Sequence, residues 1–494
     1  MKKPNQYLLL LITIIYPITF LTAQNINISN AEKYDRLVIK NVLLIDGKGT
    51  PMRGPNDVII ENNRIAAITS TKKEKDAYAN EKHVLDGSSM YLLPGLINNH
   101  VHLHKRKNLP PDYLYKLWLA CGITTVRDVG SNNELSLIDR KNSADGKLVA
   151  PRILIYMVVR NKGAKAAVEQ VRRFKKMGAD GIKIFGMDKN VMYAVLHESN
   201  ALGLKVAHHV GVEETDIRDD IELGSSTIEH WYGIPDGALK GSQNFPSWYN
   251  YNNENDRFRW AGHLWKEADP ERLQNILKWM VHNKVAWIPT FGIYEANRDL
   301  VRAQNQPWFK DYLHPVLENY FAPSPKRHGS YHWNWTTTDE VHWKENYKIW
   351  MKAVKNFAEM GGLVGAGEDA GFIYMMYGFT YIRELELLHE AGLHPIDVIM
   401  SATGSNAKIL GFENQIGRIK PGFLADLILV EGNPLENLKY LYPTGVTVVE
   451  EGEVKTKGGV KWTIKDGIVY DAVQMRDEVK QMVEQARKKQ QNLR

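Results

Sequence analysis

Residues 96–104, LINNHVHLH, place three histidines two positions apart at the end of the apolar run YLLPGLI. In a strand every second side chain points to the same face, so His100 and His102 share a face and lie about 7 Å apart. Two imidazoles at that spacing can bind one metal ion. The alternative is a strand end that carries surface histidines, and this motif alone does not separate the two interpretations.

Other strand-like runs also end in residues that bind metals or protons. GADGIKIF carries Lys183, KVAHHVG carries His208 and His209, STIEHW carries His230, and GAGEDAG carries Asp369. Each has a structural alternative: a lysine reaching to water, a hydrogen-bonded core histidine or a helix cap. Their order along the chain favours one shared site, because a barrel of parallel strands brings the carboxyl ends of its strands together.

The combined set predicts metal-dependent chemistry. Imidazoles and a carboxylate suit zinc and similar divalent ions, and two ions require a bridging anion. Burial lowers the pKa of a lysine, and a neutral Lys183 amine can add carbon dioxide to form a bridging carbamate. Asp369 would take a proton from a water activated by the metal and return it to the leaving group.

The elements that must position these residues alternate between strand-like and helical patterns from 93 to 411. This alternation predicts an α/β fold, a TIM-like (β/α)8 barrel, with an open doubly wound sheet as the alternative. Residues 34–92 and 412–470 instead contain short apolar runs separated by Gly, Asn and Asp. We therefore expect the barrel to be inserted into a small β-sandwich domain built from both chain ends.

Two segments stand apart from this pattern. An aromatic-rich insert at about 231–347 is typical of long loops over a barrel mouth, where its aromatic residues would bind substrate, pack in the core or form an oligomer contact. Residues 471–494 are predicted to form a C-terminal helical tail that is solvated.

The first residues suggest export. Residues 1–23 combine a basic start with an apolar run, which is typical of a signal peptide; an uncleaved anchor is the alternative. The single cysteine, Cys121, excludes an intrachain disulfide, so we expect a bacterial periplasmic or extracellular protein without a stable membrane span after signal removal. The formal charge is +6 without a basic stripe, so no nucleic acid is expected as a partner.

The ordered motifs resemble those of the amidohydrolase superfamily, in its imidazolonepropionase-like and prolidase-like branch. The resemblance extends from about Leu37 to Tyr470 and includes LLPGLINNHVHLH, GITTVRDVG, GADGIKIF, GLKVAHHVG, STIEH, WIPTF, GAGEDAG and SATGSNAKILGFENQIGRIKPGFLADLILVEGNPL. It implies two divalent metal ions, with zinc predicted, and a CO2-derived carbamate on the lysine. The implied metal ligands are His100, His102, Lys183, His208, His230 and Asp369, and Asp369 is also the implied catalytic acid/base.

Several assignments go beyond this ligand set. His208 is preferred to His209 because the family pattern places the ligand three residues before a glycine, here Gly211. Substrate-contacting or ligand-supporting roles are expected for His104, Arg127, His209, Tyr232 and Glu368. Glu368 would point into the following loop and select cationic substrates, or it would be a solvated loop residue.

Two departures from the family pattern bear on these expectations. Asn98 stands where the family has an aspartate, which predicts a changed hydrogen bond behind intact ligands. The glycine- and histidine-rich loop of peptidase members is missing after the third strand, in RILIYMVVRNKGAKA, which weakens a dipeptidase assignment.

The expected function is an exported metal-dependent hydrolase that cleaves a C–N bond of a small molecule, in an amide, cyclic amide, dipeptide or N-acyl amino acid. The first alternative keeps the metal site but uses it for deamination, ester or lactone hydrolysis, decarboxylation or isomerisation of a ring-bearing or sugar-like molecule. A remote alternative is a non-enzymatic binding protein. Assembly into a homo-oligomer is an open option.

Overall fold

The structure is a computed structural model that describes residues 28–71, 78–103, 106–209, 215–241, 245–250 and 253–492. The predicted signal peptide and His104 lie outside these described residues. The strands are β1 (Glu32–Lys33), β2 (Arg36–Leu44), β3 (Arg53–Glu61), β4 (Arg64–Ser70), β5 (Val84–Asp86), β6 (Met90–Pro94), β7 (Leu96–Val101), β8 (Ile123–Asp128), β9 (Arg152–Val158), β10 (Gly181–Phe185), β11 (Lys205–His209), β12 (Thr227–Glu229), β13 (Ala286–Ile288), β14 (Leu427–Glu431), β15 (Val446–Glu450), β16 (Glu453–Lys457), β17 (Gly459–Lys465) and β18 (Ile468–Asp471).

The α-helices are α1 (Tyr113–Ala120), α2 (Asn133–Ala144), α3 (Ala164–Met177), α4 (Lys189–Ala201), α5 (Ile217–Leu223), α6 (Ile234–Gly237), α7 (Glu254–Trp260), α8 (Leu264–Glu267), α9 (Pro270–His282), α10 (Glu295–Arg298), α11 (Leu300–Gln304), α12 (Phe309–Tyr312), α13 (Pro315–Phe321), α14 (Thr337–Glu359), α15 (Phe379–Glu390), α16 (Pro395–Ser401), α17 (Gly404–Leu410) and α18 (Ala472–Gln491). Short 3-10 helices cover Ala261–His263, Phe291–Tyr294 and Leu438–Leu441. Among the described residues, no helix is both long enough and apolar enough to span a bilayer.

Seven parallel strands, β7 to β13, form a nearly closed barrel in chain order. The extended segment 363–369 lies in the remaining gap. On one side Trp287 N donates to Leu363 O at 3.0 Å, and on the other Asn99 N donates to Ala366 O at 3.0 Å. The predicted barrel is therefore confirmed, and the open doubly wound sheet was the wrong alternative.

A second sheet combines both ends of the chain, in the order β4-β3-β2-β6-β14-β17-β18-β1, with β5 paired to β2. Alternate residues of β14 explain how it is buried on both faces. Leu427 and Leu429 belong to the core of this domain, whereas Ile428 and Val430 pack in the barrel core. A hydrogen bond of 2.9 Å from Ile65 N to Phe423 O also joins the edge strand β4 to the segment that precedes β14.

The C-terminal helix α18 is not a solvated tail. Met475, Val479 and Val483 are buried along one face, as expected for apolar residues at helical spacing. On the barrel side, Lys116 of α1 forms an ion pair of 2.9 Å with Glu478. The prediction of a solvated helix was wrong because a short amphipathic stripe was enough to dock α18 on the barrel.

The aromatic-rich insert contains both core and cavity residues. Strand β13 divides it, and the barrel helix α14 begins within it. Trp231, Trp265 and Trp343 are buried in the main core, whereas Phe258 and Tyr331 line a cavity at the barrel mouth. The insert therefore supports the barrel wall and also shapes the space above the strand ends.

Candidate metal centre and substrate cavity

Three predicted ligands meet at the carboxyl ends of the barrel strands. Asp369 Oδ1 lies 3.2 Å from His102 Nε2 and 3.5 Å from His100 Nε2. Nitrogen and oxygen atoms of these three side chains lie within 4.8 Å of one another, a geometry that can hold a metal ion. The alternation in β7 explains the histidine pair, and a backbone hydrogen bond of 2.9 Å from Asp369 N to His100 O brings the carboxylate beside it.

The other nitrogen of His100 contacts a buried carboxylate. Nδ1 lies 2.5 Å from Oε2 of Glu229, and Arg127 Nη2 donates to Oε1 of Glu229 at 2.7 Å. All three side chains are buried. Such a contact orients an imidazole for a metal. Arg127 thus supports a ligand from behind, which is one of the two roles expected for it. Glu229 was not predicted from the sequence.

Lys183 projects from β10 into the cavity. Its side chain is buried, and Nζ has no hydrogen-bond partner among the described residues. Burial lowers the pKa of Lys183 to about 8. A buried amine without a hydrogen-bond partner is rare in proteins. The observation fits a lysine that is modified or that faces a metal.

His209, and not His208, reaches the cavity. His209 pairs in register with the cavity residue Phe185, and its ring centroid lies 4.7 Å from that of His230. His208 pairs with Ile184 on the opposite face, where its Nδ1 lies 2.7 Å from Asp220 of α5. The prediction that His208 rather than His209 lies in the site was therefore wrong. Strand alternation puts the two histidines on opposite faces of β11, but it does not show which face points into the barrel.

His230 joins the same group from the end of β12. Its Nε2 lies 3.6 Å from Asp369 Oδ2, and its Nδ1 lies 2.5 Å from Thr290 Oγ1. Burial lowers the pKa of His230 and of His209 well below the usual range, and it also lowers that of His100. Neutral imidazoles are the form that binds metals, so these histidines fit a metal centre.

Three site residues adopt left-handed backbone conformations. The φ angles are 63° for His230, 48° for Thr290 and 51° for Asp369. Such a conformation costs a residue with a side chain about 1–3 kcal/mol and is concentrated at functional sites. Backbone hydrogen bonds help to hold it, including one of 2.8 Å from His230 N to Ile288 O.

Glu368 does not reach the cavity or the solvent. It is buried; Trp118 Nε1 donates to Oε1 at 2.5 Å, and Gly378 N donates to Oε2 at 2.9 Å. Burial raises its pKa to about 8. Glu368 therefore neither points into the following loop nor is solvated, and both of these interpretations were wrong. Asn98, in the position of the family aspartate, accepts hydrogen bonds from the backbone N of Glu368 and of His100.

A cavity of about 310 Å³ lies above these groups. Its polar floor consists of His100, His102, Lys183, His209, His230 and Asp369. Tyr232 lines one wall; its ring stacks on that of His209 at 4.7 Å, and Tyr294 donates to its hydroxyl at 2.8 Å. Four other lining residues were not predicted from the sequence: Tyr294, Arg257, Phe258 and His328. They come from a short helix, a 3-10 helix and a turn of the insert, whose only signal in the sequence was their aromatic and basic composition.

The residues present fit a metal site on structural grounds. Imidazole nitrogens and a carboxylate converge, burial lowers the pKa of His100, His209 and His230, and buried Lys183 Nζ has no partner among the described residues. The cavity floor carries two groups of possible ligands: His100, His102 and Asp369, and opposite them Lys183, His209 and His230. These donors could bind one metal ion or two.

Comparison with known proteins agrees with this architecture. A 5-methylthioadenosine/S-adenosylhomocysteine deaminase of Carboxydothermus hydrogenoformans is 24% identical over 471 residues, covering 85% of this chain and 92% of the relative. A solved Xaa-Pro dipeptidase with bound methionine has a TM-score of 0.62 at 22% identity, covering 88% of this chain and 100% of that one.

Two further solved structures share the fold. A bottromycin amidohydrolase has a TM-score of 0.68 at 17% identity and covers 92% of both chains. The ochratoxinase of A. niger has a TM-score of 0.60 at 16% identity, covering 89% of this chain and 96% of that one. At these identities the likeness shows the fold alone.

The family comparison covers more than half of the chain. Residues 91–240 and 350–469 match the amidohydrolase family, which spans the metal-site residues described above and the second half of the small sheet. The unmatched residues between the two segments, 241–349, cover most of the aromatic-rich insert. The chain belongs to the amidohydrolase family of hydrolases and deaminases.

Proposed function

We propose that this protein uses a binuclear divalent metal centre to hydrolyse the C–N bond of an amide, with N-acyl amino acids and dipeptides as the substrates to test first. The observation that carries the proposal is the placement of Lys183, His209 and His230 opposite His100, His102 and Asp369 in one cavity. A single ion would not need the second group of donors.

The ligand assignment follows from that placement. His100, His102 and Asp369 would hold one ion, and His209 and His230 the other, with a carbamate on Lys183 between them. When bound, divalent ions lower the pKa of water and polarise a carbonyl group. His209 replaces His208 in this assignment because His208 faces Asp220 behind the barrel wall.

The chain's own residues would carry out the proton transfers. The Asp369 carboxylate is positioned to accept a proton from the attacking water and to deliver it to the leaving nitrogen as the C–N bond breaks. Glu229 and Thr290 hold His100 and His230 in fixed orientations. Aromatic walls around a bound substrate would limit the access of bulk water to the reacting groups, which would strengthen these electrostatic interactions.

The decisive experiment combines metal analysis with product analysis. Protein purified without chelator should contain about two zinc ions per chain, chelation should abolish turnover, and zinc should restore it. Activity that survives complete metal removal would refute the proposal. About one ion per chain, held by His100, His102 and Asp369, would favour a mononuclear reaction.

Deamination is the second candidate, because the curated relative is a deaminase of the same family. The two reactions yield different products, since deamination releases ammonia and amide hydrolysis releases a carboxylic acid and an amine. Mass spectrometry of the products therefore separates them.

Export of the protein is a further part of the proposal, supported by the leader-like segment 1–23. Sequencing of the mature N-terminus tests it.

A further inference from the structure

Arg257 is an unusual member of the cavity wall. It lies on α7, within the part of the insert that falls outside the matched family segments, and its side chain lines the cavity with Phe258. Among the described residues, none accepts a hydrogen bond from its guanidinium group, and no carboxylate lies within 4.0 Å of it.

The neighbouring arginine provides the contrast. Arg259, on the same helix, donates to both carboxylate oxygens of Asp339, at 2.9 and 2.7 Å. Arginines at partly buried sites normally have such a bidentate partner, because an unpaired guanidinium loses hydration without compensation. Arg257 has the same partly buried setting without that partner.

The charge balance of the cavity leaves this arginine uncompensated. Asp369 is the only carboxylate among the described lining residues, and it already contacts His100 and His102 on the cavity floor.

The surroundings of Arg257 are apolar and aromatic. Phe185, Phe258 and Phe372 line the cavity, and the ring of Phe258 stacks on that of Tyr294 at 5.4 Å. A planar cation beside aromatic rings, facing a polar floor, matches a small molecule with an anionic group and a large apolar group.

We propose that Arg257 binds the carboxylate of the substrate, and that the enzyme therefore selects N-acyl amino acids or dipeptides with a free α-carboxylate and a large apolar side chain. The inference rests on the proposed function for the bond that is cleaved. It excludes neutral nucleosides as preferred substrates, because they would leave the guanidinium group unpaired.

The kinetic test compares two substrates that differ only in this charge: N-acetylphenylalanine and N-acetylphenylalaninamide, with acetate release as the common readout. The zinc-loaded wild type should prefer the acid. Arg257→Gln should lower kcat/KM for the acid about 10- to 100-fold, mainly through KM, the range expected for losing charge-assisted hydrogen bonds. Turnover of the amide should fall much less, because its uncharged group forms no ion pair with the guanidinium.

Two further variants control for charge and fold. Lys344→Gln removes one positive charge from the exposed surface of α14, outside the cavity lining, and should leave both substrates unaffected. Arg257→Lys keeps the charge without the planar fork and should fall between wild type and Arg257→Gln. Equal losses for acid and amide in Arg257→Gln would overturn the proposal, as would no loss at all.

A binding test separates this proposal from the proposed reaction. Calorimetry on zinc-loaded protein would compare 3-phenylpropanoate with 3-phenylpropanol, neither of which is hydrolysed. Selective weakening of 3-phenylpropanoate in Arg257→Gln supports the carboxylate site even when no acetate is released in the kinetic assay. Hydrolysis without any preference for the acid would instead retain the proposed reaction and refute the role of Arg257. Wild-type protein that does not bind 3-phenylpropanoate would also refute that role.

Discussion

Nδ1 of His100 lies 2.5 Å from Oε2 of Glu229, and both side chains are buried in the barrel. The contact places a carboxylate behind a candidate metal ligand, and Arg127 holds that carboxylate from the other side at 2.7 Å. Removing the charge of Glu229 would loosen the orientation of His100 and leave the Arg127 guanidinium group uncompensated.

Glu229→Gln should therefore weaken zinc binding about 10- to 100-fold, the usual effect of losing a hydrogen-bond partner behind a metal ligand. Competition with a chelator of known affinity measures this change. Asp220→Asn is a matched control, because Asp220 holds the buried His208 outside the cavity. It should lower thermal stability without changing zinc affinity. Equal zinc affinity in wild type and Glu229→Gln would contradict the prediction.

The two adjacent histidines of β11 should respond differently to the same substitution. His209→Gln should reduce zinc content from about two ions per chain to about one and abolish most activity, because His209 faces the cavity. His208→Gln should retain zinc and lose about 1–3 kcal/mol of unfolding free energy, since it disturbs a buried hydrogen bond to Asp220. Elemental analysis and chemical denaturation measure both effects. The reverse pattern would restore His208 as the ligand.

Lys183→Ala should remove the proposed bridge, lower zinc occupancy and abolish most turnover while the barrel stays folded. A short carboxylate such as acetate should restore part of the activity, because it can occupy the position of the carbamate. Lys205→Ala is the matched control: this lysine begins the neighbouring strand, and its Nζ donates to Ile409 O at 2.6 Å. Full activity in Lys183→Ala, measured as kcat/KM, would refute the carbamate.

The buried carboxyl group of Glu384, which lies away from the metal site, should make the stability of the protein depend on pH. It is buried; Gly292 N donates to Oε2 at 2.8 Å, and burial raises its pKa to about 8. The nearby charge of Glu295 raises the pKa further, whereas Arg383 lowers it. A raised folded-state pKa means that the stabilising contribution is complete below the unfolded-state pKa and is lost as pH rises toward about 8.

Glu384→Gln should remove this loss. Relative to wild type, its free energy of unfolding and its melting temperature should rise progressively between pH 5 and pH 8, with a gain of about 3–4 kcal/mol in free energy across this range. Glu318→Gln, on the exposed face of α13, should show no such trend. Thermal unfolding across this pH range measures the difference, and a constant difference at all pH values would exclude ionisation of Glu384 as the cause.

Much of the fold could be predicted because the signals are local. Strand-like apolar runs that alternate with helical segments mark β7 to β13, and parallel strands connected by helices leave a closed barrel as the simplest packing. The prediction of a solvated helix α18 was wrong because the signal is not local. Its narrow apolar stripe of Met475, Val479 and Val483 is buried by contact with α1, which is far away in the sequence.

The sequence by itself determined that His100, His102, Lys183, His230 and Asp369 end strands of one parallel barrel, because their motifs directly follow apolar runs. Only the tertiary structure decided which face of β11 is the interior, through the register of His209 with Phe185 and of His208 with Ile184. It also brought Glu229 behind His100 and carried Arg257 to the cavity wall. These contacts join segments far apart in the chain, so no local pattern encodes them, and barrel closure and the path of the insert decide them.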